Sequence, residues 1–148
     1  MPGMQGLHLT ADLHGCPTDR PVMTDTDSLR KLCLAAVDAA GLAPVGELFH
    51  RFGGSKGAGT DANMPAGITG KDVTTPVGIT GVVLLAESHL AVHTWPEIAS
   101  VTLDVYVCNL GGDNSARAHT LMAALVAAFE PAQVQRHALQ RGRPGVPA

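Results

Sequence analysis

The chain of 148 residues is long enough to form one domain, residues 1–148, with a core of its own. Its composition, 45% hydrophobic and 16% charged, is typical of a globular protein and argues against disorder. The net charge of −3, without a stripe of lysine or arginine, argues against a nucleic-acid partner. A membrane partner is not expected either, because no apolar run reaches the ~20 residues of a membrane helix.

The three cysteines, Cys16, Cys33 and Cys108, form an odd and widely spaced set without a C-x-x-C pair. This spacing argues against a disulfide scaffold and against a cysteine-rich zinc site, and it suits the reducing cytosol. Residues 1–5 carry no basic side chain, which argues against a secretory signal peptide. We therefore predict a cytoplasmic protein and assign no metal ligand.

The first half of the chain predicts a strand, a helix and a second strand. Residues 7–13 alternate apolar and polar side chains, as a half-buried strand does. Residues 24–40 place their apolar side chains on one helical face, and Gly41 can end that helix. Residues 45–52 predict the second strand. Residues 53–79 are rich in glycine and lack periodicity, so we interpret them as a long flexible loop.

The second half predicts more strands and a second helix. A cap at Asp113 or Asn114 begins the helix, which runs to about Phe129 and stops before Pro131. The strands are predicted at residues 82–86, 90–92, 100–108 and 134–139.

This order of elements predicts an α+β fold, a two-layer sandwich of an antiparallel sheet with two helices on one face. The other face of such a sheet needs a cover, and dimerisation is the economical answer.

Reactive side chains are concentrated in residues 87–97, which contain two carboxylates, a serine, two histidines and the only tryptophan. A serine in a strand is ordinarily structural, and a histidine is more often a surface or hydrogen-bonded residue than a catalyst. Taken singly, none of these residues supports a function. The combination carries more information, and it reads Glu87-Ser88-His89-Leu90-Ala91-Val92-His93-Thr94-Trp95-Pro96-Glu97.

This segment, extended back to Gly81 and followed by residues 103–108, resembles the core of the prokaryotic S-adenosylmethionine decarboxylase proenzymes. Weaker similarity at residues 6–9, 49–52 and 141–143 extends the resemblance over most of the chain except residues 53–75. The resemblance implies a self-processing, pyruvoyl-dependent lyase that converts S-adenosylmethionine to decarboxylated S-adenosylmethionine. That product is the aminopropyl donor of spermidine and polyamine biosynthesis.

The resemblance also implies how the chain is processed. The Ser88 hydroxyl attacks the Glu87 carbonyl, and elimination from the resulting ester leaves a pyruvoyl group on the C-terminal chain that starts at residue 88. The N-terminal chain then ends at Glu87. His93 matches the histidine that accepts a proton during processing, and Thr80 stands where the family tends to carry a supporting serine.

Further site residues follow from the same resemblance. The substrate amine would form a Schiff base with the pyruvoyl carbonyl at Ser88, and Cys108 matches the proton donor to the substrate carbon. Glu97 matches a carboxylate that binds the ribose hydroxyls, and Phe52 an aromatic ring that stacks on adenine. Asp12 lies where the first strand approaches the site and is a further candidate ligand contact.

Ser88 and His93 are five residues apart, so in one regular strand their side chains point to opposite faces. Either the strand is broken between them, or His93 serves the site of a second copy. The resemblance supports the second reading, a homodimer with sites at its interface. In that arrangement one protomer contributes Ser88 and Cys108, and its partner contributes the remaining residues, Phe52, Thr80, His93 and Glu97.

Three alternatives remain open at this level. The residues 53–75 could fold over the site as a lid, or they could displace Phe52 and change the substrate pocket. A changed pocket would suit a pyruvoyl-dependent ornithine or arginine decarboxylase of the same family. A non-catalytic homologue that binds a partner subunit is a third class, and the presence of Ser88, His93 and Cys108 together argues against it.

Overall fold

A computed structural model of the chain describes residues 3–53 and 77–142. Within these ranges the chain forms six strands and three helices, and no helix is long and apolar enough to cross a membrane. A single 3₁₀ turn, Pro96–Ile98, follows the fourth strand. The elements in chain order are β1 (Gln5–His14), α1 (Pro21–Thr24), α2 (Thr26–Ala39), β2 (Pro44–Arg51), β3 (Ile79–Leu85), β4 (Ser88–Trp95), β5 (Ser100–Cys108), α3 (Ser115–Phe129) and β6 (Gln133–Gly142).

The six strands form one sheet in the order β2-β3-β4-β5-β1-β6, and all neighbouring strands are antiparallel. The predicted antiparallel α+β fold is therefore confirmed. Strands β4 and β5 lie at the centre, so residues on their ends are flanked by strands on both sides.

The two faces of the sheet differ in what covers them. The alternate apolar residues of β1, β3, β4 and β5 are buried in one cluster with the apolar stripes of α2 and α3. Each large aliphatic side chain buried in this way contributes roughly 1.5–3 kcal/mol to stability. We call this side the covered face. The other side, the open face, carries residues of intermediate or full exposure, such as Thr80, His93 and Asp12.

The prediction of one helix over residues 24–40 is wrong at its start, because the structure has two helices, α1 and α2, between residues 21 and 39. Asp25 has extended backbone angles, φ −108° and ψ 117°, and separates α1 from α2. Its carboxylate accepts a hydrogen bond from the Ser28 N–H at 3.0 Å, which caps the start of α2. The predicted end is confirmed, since Gly41 follows α2 with φ +81°.

Strand β4 is longer than the predicted residues 90–92, and it begins at Ser88 itself. Strand β6 is also longer than predicted, and all ten of its residues are exposed. Of the predicted loop at residues 53–79, residues 54–76 lie outside the described residues, and Ile79 already belongs to β3.

Candidate active site

The turn between β3 and β4 places the predicted cleavage position at a hairpin tip. Leu85 pairs with Ser88, so the turn contains only Ala86 and Glu87. Glu87 has φ +52°, in the left-handed region. That conformation costs a residue with a Cβ roughly 1–2 kcal/mol. The peptide bond between Glu87 and Ser88 therefore directly follows a strained residue.

Cys108 lies beside this turn at the end of β5. Its backbone N–H donates a hydrogen bond to Ser88 Oγ at 3.0 Å. Its Sγ lies 3.7 Å from Glu87 Oε2 and accepts from the Leu110 N–H at 3.5 Å. The structure thus brings together three residues that the sequence singled out, Glu87, Ser88 and Cys108, which we call the cleavage cluster.

Two cavities border the cleavage cluster. One, of about 430 Å³, lies beside Cys108 and the start of α3, and Glu87 contributes to its wall. The other, of about 320 Å³, includes Glu87 and Ser88 in its wall together with open-face residues, among them His89 and Tyr106. Ser88 itself is only 9% exposed. The peptide bond between Glu87 and Ser88 is therefore approachable from the open face although the serine is largely buried.

A second group of candidate residues lies at the opposite end of the sheet. Thr80 and His93 pair across β3 and β4, and Thr80 Oγ1 lies 2.9 Å from His93 Nδ1. The Trp95 ring stacks on the His93 ring with centroids 5.7 Å apart. We call the residues at this end the histidine cluster, and its members are Phe52, Thr80, His93, Trp95 and Glu97.

Phe52 and Glu97 belong to the histidine cluster because both lie just beyond a strand end. Phe52 follows β2, donates its N–H to Gly78 O at 2.9 Å, and packs its ring edge-on against His50 at 4.6 Å. Glu97 lies in the 3₁₀ turn after β4 and is exposed. Both side chains are therefore available to a ligand at this end.

Asp12 lies in the same row of the sheet as His93, but two strands away. Neighbouring strands are about 4.8 Å apart, so the two residues are separated by roughly 10 Å. The structure places Asp12 near the histidine cluster and not near the cleavage cluster. The row crosses the open face through His50, Thr80, His93, Thr102, Asp12 and Gln135.

The two clusters cannot meet within one chain. Strand β4 runs without interruption from Ser88 to Trp95, so the reading in which the strand breaks between Ser88 and His93 is wrong. Ser88 is buried on the covered face, whereas His93 lies on the open face. At ~3.3 Å per residue, five residues also separate them by roughly 16 Å along the strand.

Two residues of the site were not assigned from the sequence. Trp95 is the only tryptophan and lies two residues after His93, so the strand period of two could have placed both on one face. Asn114 donates from Nδ2 to the Cys108 carbonyl at 2.9 Å, and no sequence pattern links these residues. Within residues 3–53 and 77–142, no group of three or more histidine, cysteine or acidic side chains is placed to hold a metal ion.

Comparisons with known proteins cover nearly the whole chain. The sequence model of a family described as S-adenosylmethionine decarboxylase matches residues 7–142. An S-adenosylmethionine decarboxylase proenzyme of Aquifex aeolicus is 33% identical over 137 residues, 93% of this chain and 81% of the relative. One from Archaeoglobus fulgidus is 29% identical over 137 residues, 93% of this chain and 97% of the relative.

A solved structure agrees with these sequence matches. The crystal structure of the adenosylmethionine decarboxylase from Aquifex aeolicus superposes with a TM-score of 0.71 at 30% sequence identity. The match covers 95% of this chain and 92% of that one. The resemblance inferred from residues 81–108 is thus confirmed, and the chain belongs to the S-adenosylmethionine decarboxylase family.

Proposed function

We propose that this protein is a self-processing, pyruvoyl-dependent decarboxylase that converts S-adenosylmethionine to the aminopropyl donor of spermidine biosynthesis. The observation that carries the proposal is the cleavage cluster. In it, the Cys108 N–H donates a hydrogen bond to Ser88 Oγ, and Ser88 directly follows the strained residue Glu87. The relatives named above are proenzymes of S-adenosylmethionine decarboxylase, which supports a cut in the chain before activity. Their names give the ornithine and arginine alternative no support.

The first step is cleavage of the chain by its own serine. The Cys108 N–H orients Ser88 Oγ, and the left-handed turn at Glu87 raises the energy of the intact chain. Oγ bonds to the Glu87 carbonyl carbon as the C–N bond breaks and the nitrogen takes up the hydroxyl proton. The ester that results joins residues 1–87 to the side chain of residue 88. Loss of the α-proton of residue 88 then expels the Glu87 carboxylate and leaves a dehydroalanine at residue 88. Its imine tautomer takes up water and releases ammonia, which gives the pyruvoyl group.

We assign His93 of a second copy as the base that removes that α-proton. Thr80 Oγ1 lies beside His93 Nδ1, and we assign the ring proton to Nδ1, which leaves Nε2 able to accept. Stacking on Trp95 fixes the plane of the imidazole. Thr80 therefore acts on the proton transfer through His93.

The cleaved chain carries its own cofactor. The pyruvoyl carbonyl supplies the electron sink that decarboxylation of an α-amino acid needs. Cys108 lies next to residue 88 and would protonate the substrate carbon that lost CO₂. Glu97 would bind the ribose hydroxyls, and Phe52 and Trp95 offer aromatic faces to adenine and to the sulfonium cation. Asp12 shares a row with His93 and would provide a further ligand contact.

A homodimer would bring the two clusters together. The open face exposes Leu48 and Leu84, 70% and 49% accessible, which favours burial against another sheet. Two sheets packed face to face lie ~10 Å apart, so side chains of one reach the other. A two-fold axis in the interface that crosses β4 between Leu90 and Ala91 would place His93 of each copy over Ser88 of the other. Two equivalent sites follow from that symmetry.

The cytosol is the compartment we propose. All three cysteines are free thiols, and Cys16 and Cys33 are buried where they cannot pair with a partner in solution. Free thiols persist in a reducing compartment.

Mass spectrometry of the purified protein tests the processing. We expect two chains that meet at Glu87 and Ser88, the second with an N-terminus that resists Edman degradation because it is a pyruvoyl group. A single chain of full mass, after long incubation, would contradict the proposal and would favour a non-catalytic homologue.

Turnover assays then test the substrate. We expect CO₂ release from S-adenosylmethionine and no release above background from ornithine or arginine. Replacement of Glu97 by Gln should raise KM for S-adenosylmethionine about tenfold, through the loss of one charge-assisted hydrogen bond. Preferential turnover of ornithine or arginine would contradict the assignment of the substrate while leaving the cleavage chemistry intact.

A further inference from the structure

Asn114 lies at the start of α3, but its side chain does not cap that helix. An asparagine in this position ordinarily accepts a hydrogen bond from an N–H of the first helical turn. Here Nδ2 donates to the Cys108 carbonyl at 2.9 Å, and Oδ1 accepts from Arg117 Nη1 at 2.9 Å. The side chain is thus directed to the cleavage cluster.

The Cys108 backbone needs such a contact because it lies beyond the β4–β5 ladder. In an antiparallel pair, the N–H and C=O of one residue point to the same neighbouring strand. The register of β4 with β5 ends at His89 and Tyr106. Cys108 instead binds two side chains on that edge, with its N–H on Ser88 Oγ and its carbonyl on Asn114 Nδ2.

Few other contacts fix the conformation of the segment that connects Cys108 to α3. Gly111 and Gly112 are exposed, and a side chain at either position would contact nothing within 4 Å. Asn109 is the other anchor, since its Oδ1 accepts from the Asn114 N–H at 2.7 Å and its own N–H donates to Gln5 O at 2.9 Å. Asn114 therefore fixes this loop through its backbone N–H, which bonds to Asn109, and through its side chain, which bonds to Cys108.

We propose that Asn114 is a positioning residue that holds Cys108 for both of its tasks. Before the cut, it fixes the Cys108 N–H that orients the Ser88 hydroxyl. After the cut, residue 88 has lost its Oγ, so of the two side-chain contacts on this edge only Asn114 remains to orient the thiol. The inference rests on the proposed function, because both tasks of Cys108 belong to it.

Replacement of Asn114 by Asp isolates the contact. An aspartate has the same shape, is as good at a helix start, and keeps the oxygen that accepts from Arg117. It loses the donor to the Cys108 carbonyl and adds one negative charge, whose effect an uncharged second variant controls. We expect self-cleavage, followed by gel and mass from freshly synthesised protein, to become about tenfold slower, the effect of one lost hydrogen bond of ~1.4 kcal/mol.

The cleaved Asn114→Asp enzyme gives a second readout. Asn114 contacts Cys108 and none of the residues proposed to bind the nucleoside. We therefore expect kcat to fall about tenfold, again one hydrogen bond, while KM stays within about twofold of the unmodified enzyme. The uncharged variant Asn114→Ser also lacks Nδ2, on a shorter side chain, and should behave alike, so an effect seen in both variants comes neither from the charge of Asp nor from a folding defect of one substitution.

Asp113→Ala is the matched control. It removes a neighbouring bond at the start of α3, from the Ser115 N–H to Asp113 Oδ1 at 2.9 Å, without touching Cys108. We expect its cleavage rate to equal that of the unmodified chain. If Asn114→Asp cuts as fast as the unmodified chain, or if Asp113→Ala slows cutting equally, the inference is overturned and the proposed function stands. An unmodified chain that stays whole overturns the proposed function itself.

Discussion

The cleavage cluster and the histidine cluster use opposite faces of the same strand in different ways. In the cleavage cluster, Ser88 points into the covered face and its hydroxyl is fixed by a backbone N–H of the adjacent strand. In the histidine cluster, His93 points to the open face, where its own chain provides Thr80 and Trp95 but not Ser88. The fold thus positions Ser88, the proposed nucleophile, by itself, and we infer that association positions His93, the proposed base.

The largest effect should come from replacing Ser88. This replacement distinguishes a nucleophilic Ser88 from a serine that is buried for structural reasons alone. Ser88→Ala removes the proposed nucleophile, so we expect the chain to remain whole with a melting temperature near that of the unmodified protein. Ser100 is the matched control, since it is equally buried at 9% exposure and donates to Ile98 O at 3.0 Å. Ser100→Ala should still be cut in full. Residual cleavage of Ser88→Ala would show that another group serves as nucleophile.

The contrast between a closed core and an accessible cleavage cluster can be measured at the cysteines. Burial raises the pKa of Cys33 to about 12, whereas the side chain of Cys108 is partly exposed. Because only the thiolate is alkylated, this raised pKa keeps Cys33 almost entirely in the unreactive thiol form at pH 8. We expect iodoacetamide to label Cys108 at least a hundredfold faster than Cys33, as read from peptide masses. Similar rates would mean that the covered face opens to solvent.

Thr80 tests whether the open face contributes to the cut through His93. Thr80→Val keeps the shape and removes the hydroxyl that bonds to His93 Nδ1. We expect cleavage to slow about tenfold, since one such hydrogen bond contributes ~1–1.5 kcal/mol. Thr80→Ser keeps the hydroxyl and should be cut at least as fast as the unmodified chain. Equal rates for the valine and serine variants would remove Thr80 from the mechanism.

The smallest effect concerns the strained turn. Glu87→Gly should relieve the cost of φ +52° and slow cleavage about fivefold, the equivalent of ~1 kcal/mol. Glu87→Ala keeps the strain and also lacks the carboxylate, so comparing the two variants separates the effect of the strain from the effect of the lost carboxylate. Ala99 has the same φ of 52° far from the cut, so Ala99→Gly should stabilise the fold without changing the cleavage rate. If Glu87→Gly cuts no more slowly than Glu87→Ala, strain does not drive the reaction.

Much of the fold could be predicted because alternation in the strands and apolar stripes in the helices report directly on burial. Residues 100–108 were placed as a strand in full, and Gly41 ended its helix as expected. The break at Asp25 was missed because a capping aspartate inside a run of apolar periodicity does not interrupt the pattern. Strand β4 was predicted too short, because Ser88 and Thr94 are polar although they are buried on the covered face, so they interrupt the apolar half of the period of two.

The site was predictable in its members but not in its contacts. Parity alone placed Ser88 and His93 on opposite faces, and the structure agrees. The bond from the Cys108 N–H to Ser88 and the bond from Asn114 to the Cys108 carbonyl depend on how two strand ends and a helix start meet. Such contacts join residues distant in the sequence, and no local pattern encodes them.

Co-expression of Ser88→Ala chains with His93→Ala chains, each with its own affinity tag, tests the central claim most directly. Mixed dimers contain one site with an intact serine and an intact histidine on different chains. We predict that the His93→Ala chain, uncut when expressed alone, is cut between Glu87 and Ser88 in mixed dimers isolated through both tags. Mixed dimers in which both chains stay whole would contradict a site completed by the second copy.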